Sequence, residues 1–172
     1  MMSSKRSLLP LSLLVLAIAS LATGCAASRR EAYVQEKASQ YVYRKPIADV
    51  WPHVQTLLKE KELELREAPG AYEISTDWQM AGAPSSLGTA YARYLVRGKQ
   101  PTAATCSVQI FKQNRVETAQ SQGSRTNQGQ ENPGFNDSTN LQRDMEMEWE
   151  LLQRVDPEAA KSLRAEAETN IK

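Results

Sequence analysis

Apolar residues recur along this chain with two different periods, which predict strands and helices. Residues 40–45 contain a short run of β-favouring side chains that ends at Pro46, and we interpret this run as a first strand. From Ile47 the apolar residues follow spacings of three, four and seven, which is typical of one face of a helix. The helical face consists of Ile47, Val50, Trp51, Val54, Leu57 and Leu58.

Pro52 constrains where this helix begins. Proline is tolerated in a first turn, where its missing N–H has no intrahelical partner. The sequence therefore favours Asp49 as the N-cap residue. A start nearer Pro46 would place Pro52 inside the helix and predict a kink.

Alternating apolar and polar residues then predict four strands. Pro69 and Gly70 form a turn between the first two, which is a β-hairpin pattern. A second turn, at residues 98–101, separates the last two. We interpret Cys106, on the apolar side of the last strand, as a buried small residue. The strands cover residues 63–66, 72–78, 89–97 and 105–112.

The residues from 117 onward predict a polar loop followed by two helices. Residues 117–137 are rich in Gln, Asn, Ser and Gly, so we expect a disordered loop that buries too little apolar surface to offset its ordering entropy. Ser138 or Thr139 would cap the next helix, and Asp156 with Pro157 would start the last one. The stripe of the first of these helices consists of Leu141, Met145, Trp149, Leu152 and Val155.

This order of elements predicts an α+β domain. Strands joined by short turns pair antiparallel, and their alternation requires one covered face. We expect a two-layer helix-grip fold over residues 40–172, in which an antiparallel sheet of about five strands packs on helices, with a C-terminal helix pair.

The first residues have the pattern of a secretory signal. Lys5 and Arg6 precede an apolar run of about 14 residues, which is shorter than the ~20 that a membrane crossing needs. The run ends in Leu-Ala-Thr-Gly-Cys, which resembles a bacterial lipobox because small residues precede the cysteine. The pattern predicts cleavage between Gly24 and Cys25, so that residues 1–24 are a lipoprotein signal peptide.

Cys25 is then the predicted lipidation site. Several acyl chains would attach the mature protein durably to a membrane. Ala26 follows the cysteine, where aspartate is associated with inner-membrane retention, so we expect the outer membrane, with the domain facing the periplasm. Residues 25–39 are polar and mixed in charge and are interpreted as a lipidated tether. The alternatives are ordinary cleavage after residues 17–19 and an uncleaved anchor.

Composition narrows the classes of function. The 172 residues allow one modest domain, and a net charge of +1 gives no basic footprint for nucleic acid. Cleavage after residue 24 would leave 19 cations and 20 anions, and so a side-chain charge of −1. One His and two Cys exclude most zinc frameworks and any disulfide-rich scaffold.

Motifs of catalysis are missing from the sequence. It contains no Gly-rich phosphate loop, no Gly-x-Ser-x-Gly elbow and no His pair at metal spacing. His53 and Cys106 are the only Cys/His pair left after acylation, and nothing in the sequence places them together. An acidic run spreads around a helix instead of converging on a metal, so we expect no enzyme, no metal and no cofactor. The run consists of Asp144, Glu146, Glu148 and Glu150.

Short motifs between residues 40 and 115 indicate a family resemblance. The motifs are Arg44-Lys45-Pro46, Val50-Trp51-Pro52 on a helix, Thr76-Asp77-Trp78 and Arg93-Tyr94. They are similar to those of the BamC-type lipoproteins of the outer-membrane β-barrel assembly machinery. The resemblance implies a helix-grip fold and a place in that machinery. Such proteins have two helix-grip domains behind a long N-terminal arm that engages a partner subunit, whereas this sequence predicts one domain.

Two hypotheses of function follow. The first is a lipid-anchored interaction or accessory module of an envelope protein complex, with outer-membrane protein assembly as the role that the resemblance implies. The second is a carrier of a small ligand or lipid in a groove between helix and sheet. The sequence leaves the protein partner, any ligand and the oligomeric state open. The aromatic residues that would line a pocket, or fill the core, are Trp51, Trp78, Tyr91 and Tyr94.

Overall fold

A computed structural model describes residues 26–86, 88–117 and 141–171. Within these ranges the chain forms four helices and one six-stranded antiparallel sheet. The predicted signal peptide, Cys25, residues 118–137 of the predicted loop, Ser138 and Thr139 lie outside the described residues.

The sheet is built around one long hairpin, formed by strands of 14 and 13 residues. The strand order is β1-β2-β4-β5-β6, and β3 also pairs with β4. The strands are β1 (Leu65–Glu67), β2 (Glu73–Thr76), β3 (Gln79–Met80), β4 (Thr89–Thr102), β5 (Thr105–Glu117) and β6 (Leu141–Arg143).

Two helices precede the sheet in the chain and two follow it. The first, α1, spans residues 26–39. The others are α2 (Ile47–Glu60), α3 (Met145–Val155) and α4 (Pro157–Asn170).

The core lies between one side of the sheet and the helices α2 and α3. Val96 on β4 lies opposite Ile74 on β2 and Ile110 on β5, so these three side chains point to the same side. With Leu57 of α2 and Leu151 of α3 they form part of one apolar cluster. We call this side of the sheet the helix face. The α+β class and the packing of an antiparallel sheet on helices are therefore confirmed.

Helix α2 begins earlier than the sequence predicts. Its N-cap residue is Pro46, not Asp49, and Pro52 lies inside the helix, where the carbonyl of Ala48 loses its intrahelical donor. Ile47 and Val50 are fully buried in the core. The burial of this first turn explains why the helix begins before Pro52 although the proline removes one of its hydrogen bonds.

Helix α3 begins later than predicted, because residues 141–143 form strand β6. The backbone N–H of Asp144 donates to the carbonyl of Ile110 on β5 at 2.9 Å, which ends the strand. The Asp144 side chain then accepts from Met147 N–H at 2.9 Å and caps the helix. Leu141 and Met145 consequently lie outside the buried stripe.

The predicted first strand is reduced to a single bridge. Tyr43 exchanges two backbone hydrogen bonds with Cys106 on β5, at 2.8 and 3.0 Å. The chain turns into α2 at Pro46, which leaves no room for a longer strand. β4 shows the opposite difference, since it continues through the predicted turn at residues 98–101 and ends at Thr102.

The predicted tether is helical and packed. Val34 and Ala38 of α1 are 3% and 5% exposed and belong to the core cluster. Tyr33 contacts the rest of the domain as well, through a hydrogen bond from its hydroxyl to Glu166 of α4. The packed domain therefore includes residues that the sequence assigns to a tether.

The start of α4 and the burial of Cys106 are confirmed. Asp156 caps α4 by accepting from Ala159 N–H at 3.1 Å, and Pro157 occupies the first turn. Cys106 has no exposed surface and is a free thiol.

Candidate functional site

The side of the sheet opposite the helix face carries arginines and aromatic rings. In β4 the odd-numbered residues point to this side, and the residues that they face in β5 do the same. We call it the arginine face. It consists of Tyr91, Arg93, Leu95 and Arg97 on β4 and Phe111, Gln113 and Arg115 on β5.

Trp78 joins this face from the segment between β2 and β3. The guanidinium carbon of Arg115 lies 4.2 Å from the centre of its indole ring, and that of Arg93 lies 4.7 Å from it. Arg115 also lies 5.4 Å from the ring centre of Tyr91. Each cation–π contact of this kind contributes about 0.5–2 kcal/mol, depending on how far it is removed from water.

The path of the chain from β2 to β3 explains why Trp78 lies there. Where β2 ends, the hydroxyl of Thr76 accepts from the backbone N–H of Tyr94 at 2.9 Å and replaces a strand partner. The chain then returns to β4, where Gln79 and Met80 pair with Ala92 and Tyr91. Trp78 lies between the Thr76–Tyr94 hydrogen bond and the β3–β4 pairing, and this position brings its ring over Arg93 and Arg115.

Hydrogen bonds fix the arginines of this face. Arg93 Nε donates to Gln113 Oε1 at 2.7 Å, and Gln113 is only 5% exposed. Arg97 Nε donates to Glu73 Oε1 at 2.8 Å. Within the described part of the chain, the terminal nitrogens of Arg93 make no further hydrogen bond and face no carboxylate. A planar guanidinium with unused donors is suited to bind a carboxylate.

The structure divides the four predicted pocket aromatics between the two faces. Trp51 belongs to the core, and Tyr94 packs against it from the helix face. Trp78 and Tyr91 lie on the arginine face. The four rings therefore do not line one pocket between helix and sheet.

Trp51 does border an open groove at the edge of the domain. Its ring meets Tyr72 edge to face, with centroids 5.4 Å apart. The groove has a volume of about 490 Å³, within the usual range of small-molecule sites, and is completed by the turn around Pro69 and Gly70.

An ion pair between the buried Glu148 and the half-buried Arg143, at the edge of β5, is a feature that the sequence reasoning missed. Glu148 is 2% exposed, and its Oε1 accepts from the backbone N–H of Ile110 and from Arg143 Nε, both at 2.7 Å. Arg143 also donates to the carbonyl of Ser39 at 2.7 Å. Glu148 shares one helical stripe with Leu151, Leu152 and Val155, so a charge inside an apolar stripe was the available signal.

The surroundings of Glu148 explain its electrostatics. Burial raises the pKa of this carboxyl, and the hydrogen bonds from Arg143 and Ile110 oppose the shift. Burial also raises the pKa of the Tyr43 hydroxyl, with the Glu148 charge adding to the effect. Both groups lie beside β5, Tyr43 through its bridge to Cys106 and Glu148 through its hydrogen bond from Ile110.

The predicted Cys/His candidates have separate surroundings. His53 is exposed on α2. Cys106 is buried on β5, and burial raises the pKa of its thiol. Among the described residues, no group of three or more His, Cys, Asp or Glu side chains is arranged to hold a metal ion.

No protein-family model matches the chain, and no curated protein matches it significantly. In the described ranges, none of the helices combines the length and the apolar character that a bilayer crossing requires.

Proposed function

We propose that this chain is an outer-membrane lipoprotein, anchored through Cys25 and facing the periplasm, that serves as a non-enzymatic interaction module of an envelope protein complex. The observation that carries the proposal is the arginine face, where Arg93 contacts Trp78, and Arg115 contacts both Trp78 and Tyr91. Tryptophan, tyrosine and arginine are the residue types that dominate the binding energy of protein interfaces.

The charge of this cluster favours an acidic partner. Arg93 is held in place by Trp78 and Gln113, and it keeps donors for a carboxylate. Because its side chain is already oriented, Arg93 loses less conformational entropy on binding than a mobile arginine would. The partner that fits is an envelope protein with an acidic segment.

The anchor and the finer fold rest on the sequence. The lipobox ending at Cys25 supports the signal peptide, the acylation and the outer-membrane location. The packing of α2 and α3 on one side of the sheet is consistent with the helix-grip fold that the BamC resemblance implies. That resemblance also favours a role in outer-membrane protein assembly.

Site-specific crosslinking tests the interaction. A photoreactive residue at Tyr91 should capture a defined outer-membrane protein in cells, whereas the same residue at His53, exposed on α2, should not. Arg93→Ala should abolish the capture, and Lys59→Ala, which removes an exposed cation from α2, should leave it intact. Equal capture at both positions, or capture that survives Arg93→Ala, would sink the proposal.

Acylation is tested separately. Cys25→Ala should abolish incorporation of a labelled fatty acid and retain the uncleaved signal peptide, as read by the mass of the chain. A mature protein of unchanged mass in this variant would show that the lipobox interpretation is wrong.

The groove beside Trp51 favours a second candidate function, a carrier of a small ligand. Tyr72 is 39% exposed and offers an aromatic surface inside this groove. A carrier purified from membranes should retain a ligand in native mass spectrometry, and Tyr72→Ala should release it. A spectrum of the ligand-free mass alone argues against this candidate.

A further inference from the structure

Because α1 begins at residue 26, almost no flexible chain separates the proposed anchor, Cys25, from the domain. Cys25 directly precedes residue 26, which is already helical. Consecutive Cα atoms are about 3.8 Å apart, so an acyl group on Cys25 would hold the start of α1 at the bilayer surface. A flexible tether, by contrast, would let the domain move away from the membrane.

Contacts along its length fix α1 to the body. Arg30 Nε donates to the carbonyl of Ile171 at 2.9 Å, next to the end of α4. Beyond the other end of α1, the hydroxyl of Tyr41 donates to Asp156 at 2.8 Å, next to the start of α4. The two helices are therefore antiparallel, and the start of α1 lies beside the end of α4.

The exposed surface of α1 does not suit a helix that lies in the membrane. An interfacial helix needs an apolar face turned to the lipid. Val34 is instead buried in the domain together with Ala38, and Tyr33 packs against the same core. Its exposed positions include Glu31, Glu36 and Lys37, which favour water.

We infer that the end of the domain formed by the start of α1 and the end of α4 rests on the bilayer, so that lipidation fixes the orientation of the whole domain. This inference rests on the proposed lipid anchor. It also limits the partner, because a domain of about 140 residues has a radius of gyration of about 14 Å and is about 40 Å across. The arginine face then meets proteins that lie in or close to the same membrane.

Two labels on α4 measure the orientation. Glu158 and Glu168 are exposed and ten positions apart, which is about 15 Å along a helix. Each is replaced by cysteine and labelled with a fluorophore in the full lipidated protein, reconstituted into phosphatidylcholine vesicles that carry a nitroxide quencher on the headgroup. Cys106 is buried, so the protein without an added cysteine is the control for labelling.

The expected result is strong quenching at Glu168→Cys and clearly weaker quenching at Glu158→Cys. Inserting a 12-residue Gly/Ser linker between Cys25 and Ala26, with a mean span of about 20 Å, should weaken the quenching at Glu168→Cys and remove the difference. Equal quenching of the two labels without the linker overturns the inference. A purified protein that carries no acyl mass and does not float with the vesicles overturns the proposed anchor instead.

Discussion

Neighbouring residues of β4 and β5 point to opposite sides of the sheet and meet different surroundings. On the helix face, Val96 and Ile110 have no exposed surface under α2 and α3. On the arginine face, Arg93 and Gln113 also face one another across the hairpin, but a polar hydrogen bond joins them. The first face is stabilised by close packing, which tolerates little change. The second holds Arg93 in a fixed orientation while its terminal donors stay unused among the described residues, which is what a docking surface needs.

Leu57→Ala should give the largest effect on stability. Leu57 is fully buried on α2, and a Leu to Ala change in a core costs about 2–5 kcal/mol through lost burial and the cavity left behind. Urea unfolding measures the loss. Val116→Ala, at a position that is 61% exposed, is the control and should stay within ~0.5 kcal/mol of the parent.

Gly98→Ala tests how tightly α2 crosses the helix face. A Cβ atom at this position would lie 2.3 Å from Cδ1 of Ile47 and 3.0 Å from the Trp51 ring. Ile47 is fully buried and cannot easily move aside, so we expect a loss of about 1–3 kcal/mol. Lys99→Ala changes the next residue of the same strand, which is exposed, and should be close to neutral. A Gly98→Ala variant as stable as the parent would mean that the packing is looser than described.

Glu148→Gln tests the buried charge at the sheet edge by its pH dependence. Because the pKa of Glu148 is raised, the folded protein keeps this proton at pH values where the unfolded chain has lost it. The parent should therefore lose stability relative to Glu148→Gln as the pH rises from about 4.3 through the raised pKa, by at most ~1.4 kcal/mol per pH unit. Denaturant unfolding between pH 4 and 8 measures the difference. Glu146→Gln, on the exposed side of α3, controls for the loss of a carboxylate, and a slope of opposite sign contradicts the burial argument.

Of the four test substitutions, apart from their controls, Arg93→Ala should lower the free energy of unfolding least. It removes one cation–π contact and one hydrogen bond from a half-buried surface, for which we expect about 0.5–2 kcal/mol. The two faces are distinguished if this variant unfolds almost like the parent yet loses the captured partner. A loss of stability comparable with that of Leu57→Ala would place Arg93 in the structural core instead.

Local patterns could be predicted from the sequence. The spacing from Ile47 to Leu58 identified the buried face of α2, because apolar residues that recur with the helical period lie on one side of the helix. The hairpin around Pro69 and Gly70 was found for a similar reason, since Gly70 adopts a φ of 76° that favours glycine. Asp156 was recognised as a cap from its position before a proline.

Features that depend on residues distant in the sequence could not be predicted. Residues 26–39 have a mixed composition, and only packing against the rest of the domain makes Val34 and Ala38 part of a core. The sequence analysis assigned Leu141 to a helix. Residues 141–143 form a strand only because they pair with Phe111 to Gln113 of β5, which lie far away in the sequence. Of the candidate site, the sequence analysis named Trp78 and Tyr91, but as aromatics of a pocket or core, and nothing in the sequence brought them together with the arginines.

The antiparallel pair of α1 and α4 has a consequence for how the chain is assembled. The β4–β5 hairpin joins residues close in sequence, with Thr102 facing Thr105, and such local contacts form early in folding. The bond between Arg30 and Ile171 joins positions 141 residues apart, so it cannot form until residue 171 has been synthesised and delivered. The docking of α1 on α4 therefore depends on residues 157–171, and a chain truncated before residue 157 would lack the groups that bind Arg30 and Tyr33.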